Sequence, residues 1–240
     1  YSRQRVTLET RDPLQRGNTF IGQGSRFGGI ERNASEFINA QVRLFSGSFN
    51  RTEVENRYLS RLEQVVGTGA NSVGSAIQRF FDATQELASN PAGVPERQAL
   101  IGEAGALVTQ SEAIDRTLRE LGSELNANIR ASVDEVNQLA NNIASLNGRL
   151  RDLTNASPGG VPNDLLDRRD LWLRELASKM DIDVLPQASG AVDVFVGQGR
   201  SLVQGSVSNQ LLTESMPGNA EQLRIIVDGV PPQALGALSG

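Results

Sequence analysis

The run GGVPNDLLDRRDLWLREL, residues 159–176, gathers four carboxylates and three arginines within eighteen residues. Asp164, Asp167 and Asp170 recur at every third position. Carboxylates held together can work as a general acid and base, as in a glycosidase pair, or bind magnesium through oxygen alone. A carboxylate hydrolase using these three aspartates is therefore one reading of the chain. The surrounding residues favour another. Asn163 is placed to cap a helix, accepting from the amides of its first turn. Asp164 and Asp167 then lie near the positive end of the helix dipole. Asp164 with Arg168 and Asp170 with Arg174 are i,i+4 pairs with the acid first, the favourable order. Leu166, Leu173, Leu176 and Met180 fill the opposite face. Capping, dipole and pairing contribute about 0.3–1 kcal/mol each at a surface, and together they account for the charges without any reaction. The expectation is a solvated helix face. No catalytic, cofactor-binding or metal-ligating residue is expected, and no cofactor.

Composition narrows the chemistry further. The 240 residues contain neither histidine nor cysteine. Serine–histidine triads, cysteine–histidine dyads, thiolate zinc sites and disulfides are thereby excluded. A net charge of −5 lacks the basic stripe that neutralises phosphates, so no nucleic-acid partner is expected. No apolar run approaches the roughly 20 residues that span a bilayer. Tyr1 to Arg5 is polar, unlike an export signal, and the abrupt ends give the chain the look of an excerpt. Hydrophobic content of 38% with 5% aromatics suits a thin, aliphatic core.

The elements that must position these residues follow from periodicity. Residues 1–30 read as extended, with Val6 to Glu9 alternating and a break at Asp12-Pro13. GQGSRFGG resembles a phosphate loop, but Phe27 stands where the third glycine belongs, so a turn or bulge is expected. From Glu31 to Val66 the stripe Ile38, Val42, Phe45, Phe49, Leu59, Leu62 and Val66 has helical spacing, ending at Gly67-Thr68-Gly69. A shorter helix presents Ile77, Phe80, Phe81, Thr84 and Leu87 and closes at Ser89-Asn90-Pro91. Between Ile114 and Leu153 a twelve-member aliphatic series has a mean step near 3.5, the spacing of a coiled-coil seam, with a slip at 125-129-133. No proline falls between Pro95 and Pro158, so one unbroken helix is expected. Its seam calls for a long partner, and residues 31–66 are the available one. The loop Asn155 to Val161 precedes the charged helix. Beyond Lys179, Ile182–Leu185, Val192–Val196, Leu202–Val203, Leu211–Leu212 and Leu223–Val227 alternate as strands, with turns at Gly197-Gln198-Gly199 and Asp228-Gly229. The tail from Pro231 reads as loop. The fold class is α+β, mainly α: an elongated bundle of long coiled-coil-like helices, an N-terminal hairpin segment and a C-terminal β-rich lobe. Domains are expected at 1–180 and 181–240.

Several long stretches carry a family resemblance, in order. YSRQRVTLET, IERNASEFINAQVR, IQRFFDATQELASNPAGVPERQALIGEAGALV, IASLNGRL and PNDLLDRRDLWLRELA together resemble the flagellar hook-associated protein 1 family, from Tyr1 to about Gly205. The resemblance implies a structural subunit joining hook to filament, exported through the growing flagellum and assembled outside the cell. It implies partners: copies of itself in an axial tube, the hook protein, the second hook–filament junction protein, and an export chaperone acting on a C-terminal region absent here. No membrane partner and no enzyme activity are implied. A returning C-terminal helix would cover part of the helical stripes. A coiled-coil adaptor or signalling scaffold is the alternative that periodicity alone allows.

Overall fold

The computed structural model describes residues 3–33, 35–67, 72–156, 162–197 and 199–228. Strands β1 (Arg3–Thr10), β2 (Leu14–Arg16), β3 (Thr19–Ile21) and β4 (Ser25–Asn33) open the chain. Helices α1 (Glu36–Val66), α2 (Val73–Ser89), α3 (Val94–Ala156) and α4 (Asn163–Lys179) follow. Then come β5 (Ile182–Pro186), β6 (Val192–Val196), β7 (Arg200–Gln204), β8 (Val207–Ser208), β9 (Leu211–Met216) and β10 (Asn219–Val227). The fold is α+β and mainly α, as the patterning anticipates. Thr68, Gly69, residues 157–161, Gln198, Gly229 and the tail from Pro231, all assigned to turns or loops above, lie outside the described residues.

Two compact units divide the chain: Tyr1–Ser48 with Val136–Gln210, and Phe49–Glu135 with Leu211–Gly240. Each therefore draws on residues from both sides of position 181.

In the first unit β1 pairs antiparallel with β4, from Arg3 opposite Asn33 to Thr10 opposite Ser25. The register slips between Thr7 and Leu8, where Gly28 is the extra residue. GQGSRFGG is thus the return and bulge of a ribbon, as its failed fingerprint suggests. A two-residue turn at Gly17-Asn18, with Gly17 at φ 63°, joins β2 to β3. Glu31 to Asn33, expected as the start of a helix, belong instead to β4, whose pairing with β1 holds them extended. The helix begins only at Glu36, where the Ser35 carbonyl receives the amide of Asn39 at 3.0 Å.

The core of this unit combines Val136, Ala140, Ile143, Leu146 and Leu150 of α3, Leu173 and Leu176 of α4, and the valines of β6. Strands β5, β6, β7 and β8 form an antiparallel meander in chain order. Val192, Val194 and Val196 point inward at the period of two that marks a one-sided strand.

The 63-residue α3 runs unbroken, as the absence of proline predicts. Its covering differs from expectation. Burial of the seam is confined to the stretch from Val133 to Leu150, while Leu118, Leu125 and Leu153 stay exposed. Within the first unit the sheet, not α1, lies against this stretch: Asn147, Arg151 and Thr154 all bond to residues of the β5–β8 segment. The expected partner stripe on α1 remains in water, with no residue of that helix fully buried.

The second unit holds the rest of α1, all of α2, the first two-thirds of α3 and the β9–β10 hairpin. Hairpin register runs from Met216 opposite Asn219 to Leu211 opposite Val227. Its turn is made at Gly218, φ 86°. Gly67, φ 73°, donates its amide to Glu63 at 2.9 Å and ends α1 as a left-handed cap. Ser72 caps α2, accepting from the Ser75 amide at 3.1 Å. The buried line of α2 is Ala76 and Ala83, with Phe80 and Leu87 half-covered, whereas Ile77 and Phe81 face outward. The expected face is therefore rotated toward the alanines, whose small side chains let the helix seat closely.

Candidate functional site

The charged run starts differently from its expected design. Pro162, not Asn163, occupies the cap position of α4, and it offers no side-chain acceptor. Its carbonyl instead takes the Leu165 amide at 3.1 Å. The two anticipated ladder pairs, Asp164–Arg168 and Asp170–Arg174, are not formed among the described residues. Asp170 turns inward because it shares the stripe of Leu173 and Ala177, at i+3 and i+7.

There it is only 7% exposed and Arg169 only 6%. One Asp170 oxygen accepts from Arg169 Nε at 3.0 Å and Nη2 at 2.7 Å. The other accepts from Arg32 Nη2 and from Asn39 Nδ2, the latter at 3.3 Å. The same Arg32 donates through Nε to Asp167 Oδ1 at 2.9 Å. Arg169 Nη1 donates to the carbonyl of Gly190, in the turn before β6. Half-buried Arg43, one turn beyond Asn39, has its pKa pushed down by burial, against the pull of Asp170. Four elements of chain thus meet in one charge-paired cluster: β4, α1, α4 and the β5–β6 turn.

The expected solvated face is corrected here: the middle of the run is buried. Of the three candidate aspartates, Asp167 and Asp170 are brought together across the Arg32 guanidinium, while Asp164 stands exposed. A carboxylate has about four acceptor positions, and Asp170 has all four filled by side chains of this chain. It has no lone pair left over for a substrate proton. The chemistry this arrangement performs is positional: paired charges offset one another's desolvation only in one geometry.

A second buried polar group was invisible to periodicity. Asn147, 2% exposed, lies among the leucines of α3. Its Nδ2 donates to the carbonyls of Val192 and Gly205 at 2.7 Å each, and its Oδ1 accepts the Val192 amide at 3.0 Å. The side-chain amide thus imitates a strand, tying the helix to the start of β6 and to the turn after β7. The one signal in the sequence is an asparagine in IASLNGRL at the i+4 position from Ile143.

In the second unit, Arg61 of α1 and Glu124 of α3 bond at 2.6 Å. That bond pulls the Glu124 carboxyl below, and the Arg61 guanidinium above, its ordinary value. Tyr58 receives a bond from Asn128 at 2.9 Å. Beside this strap lies an open groove of about 520 Å³, floored by Val65, Ile114 and Leu121 and edged by Gln110, Thr117 and Glu120. None of the candidate aspartates lines it. Among the described residues no group of three or more acidic side chains is arranged to hold a metal ion, and no helix is long and apolar enough to cross a membrane.

Comparison with known proteins adds a third line. A family model described as the flagellar hook-associated protein FlgK helical domain matches residues 59–240. Flagellar hook-associated protein 1 of Escherichia coli (strain K12) is 33% identical over 227 residues, 95% of this chain and 41% of that protein. The protein of that name from Bacillus subtilis (strain 168) is 29% identical over 238 residues, 95% and 44% respectively. The solved flagellar hook junction protein FlgK from Burkholderia pseudomallei superposes with a TM-score of 0.72 at 27% identity, covering 81% of this chain and 34% of that one. The chain thus spans about two fifths of the length of the relatives it matches.

Proposed function

Because the chain belongs to the flagellar hook-associated FlgK helical-domain family, we propose that it is a structural subunit of the bacterial flagellum, set between hook and filament. The family match through residues 59–240 carries this reading. The site agrees with it: two of the three aspartates that could have done chemistry, Asp167 and Asp170, are engaged in holding the fold together, which favours a role without catalysis. Helix α1 leaves Phe37, Phe45 and Phe49 in water, apolar surface of the kind that meets another protein. In this reading the subunit is delivered outside the cell by flagellar export and assembles with copies of itself in an axial tube. It meets the hook protein on one side and the second junction protein on the other, and an export chaperone engages a C-terminal region outside this chain. Deleting the gene is expected to leave cells with hooks that carry no filament, seen by electron microscopy of isolated flagella. Normal filaments and normal swimming in the deletion strain would end this reading.

A further inference from the structure

The charges of this chain are unevenly divided. The second unit holds sixteen acidic residues against nine basic ones, whereas residues 3–33 carry six arginines against three carboxylates. Those arginines are spread over two two-stranded ribbons, β1–β4 and β2–β3, and the loops that join them. Arg26 is paired with Glu9 and Arg32 with Asp167 and Asp170, and the described side chains of this segment, apart from Thr7 and Arg32, are exposed. Its apolar residues are not spared: Phe20 is 65% exposed, and Leu8, Leu14 and Phe27 are also in water. A two-stranded ribbon is marginal in water on its own, and large apolar side chains displayed along it mark a surface made for contact. Arg5 and Arg11 engage no side chain among the described residues.

The groove between α1 and α3 has the complementary character. Val65, Ile114 and Leu121 give it an apolar floor, and Glu120 stands at its edge without a bond to any described residue. We propose that the N-terminal strand segment of one chain docks on the acidic second unit of another copy, placing Phe20 of the β2–β3 hairpin in this groove and Arg11, in the loop that leads into that hairpin, toward Glu120. Opposite charges attract and like units repel, so the contact joins unlike faces. Such a head-to-tail contact propagates into a ring or a helical array rather than closing as a dimer. The inference rests on the reading of the chain as a self-assembling subunit and adds the surfaces that meet.

The chain has no cysteine, so introduced thiols report cleanly. Full chains carrying Phe20→Cys alone and Thr117→Cys alone are mixed and oxidised, with Ala188→Cys replacing Thr117→Cys as the control. The mixed pair is expected to give a disulfide-linked dimer at low salt. The yield should fall roughly tenfold at 1 M salt, where the screening length shrinks to about 3 Å. Glu120→Arg should reduce linkage, and Arg11→Glu in the other chain should restore it. All three positions are exposed, so folding is not at stake, and helical circular dichroism checks it. Linkage equal to the control, or no linkage, would each overturn the contact. Because the readout is on purified chains, its failure leaves the filament phenotype of the deletion untouched, and the two readings fail separately.

Discussion

Asp170 shows how much one side chain can hold. It bonds Arg32, Asn39 and Arg169 at once in a nearly dry site. Replacing it by asparagine keeps the shape but removes the negative charge between two guanidinium groups. It also turns an NH₂ toward donors that need an acceptor. Breaking a buried ion pair by removing one partner costs about 3–5 kcal/mol, and Asp170→Asn should lose stability on that scale in denaturant unfolding. Asp164→Asn, at an exposed position of the same helix, should change stability by only about 0.5 kcal/mol. Equal effects at the two positions would mean that the cluster does not carry the fold. Part of this was legible beforehand. Asp170 lies on the stripe of Leu173 and Ala177, so its burial could be read from spacing. Its partner could not: Arg32 is 138 residues away, and nothing local to ERNASEF announces an arginine that is drawn partly out of water. Asn147 had a weaker sign, a polar residue beside a leucine seam, but its acceptors lie in a strand and a turn that no helical period can point to.

At the scale of elements, the long helix was plain because proline is absent and aliphatic residues repeat over many turns. The even repeat hid a change of surroundings. The slip at 125-129-133 falls where α3 passes from a half-exposed stretch to one packed against the sheet, and the period reports only that a face is apolar, not what covers it. Close approach between elements was equally hidden. Gly47 of α1 faces the carbonyl of Ala177 in α4, and an added Cβ would stand 2.9 Å from that oxygen. At Gly122 of α3 an added Cβ meets nothing within 4 Å. Alanine is favoured over glycine inside a helix by about 1 kcal/mol, so Gly122→Ala should raise the melting temperature. The same change at Gly47 drives a methyl into backbone that cannot turn aside, and overpacking costs typically 1–3 kcal/mol. Gly47→Ala should therefore lower the melting temperature despite its better propensity. Two increases in differential scanning calorimetry would show that α1 and α4 do not meet there.

At the scale of the whole chain, the mixture of helices and strands was readable, but the grouping into units was not. Two of the three changes of unit, at Ser48–Phe49 and Glu135–Val136, fall inside helices, with no break in the helix to mark them, and the third, at Gln210–Leu211, falls between two strands. What composition does convey is collective charge. The net charge is −5 and the isoelectric point about 5.0, while α1 keeps Phe45 and Phe49 exposed. Above neutrality the shared negative charge opposes association of those faces; near pH 5 it vanishes and the apolar attraction is unopposed. The folded chain should survive that change. Glu124, bonded to Arg61, has a folded pKa below its unfolded one. Its contribution is therefore present above the unfolded value and is lost only as pH falls through the lowered folded value. Since ordinary glutamate titrates near 4.3, the strap between α1 and α3 is intact at pH 5. Light scattering at low salt should accordingly rise as pH falls from 8 to 5, while the helical circular dichroism signal stays constant. Flat scattering over that range would mean that the exposed α1 face is not adhesive. A rise that tracks loss of helix would mean that unfolding, rather than lost repulsion, drives the association.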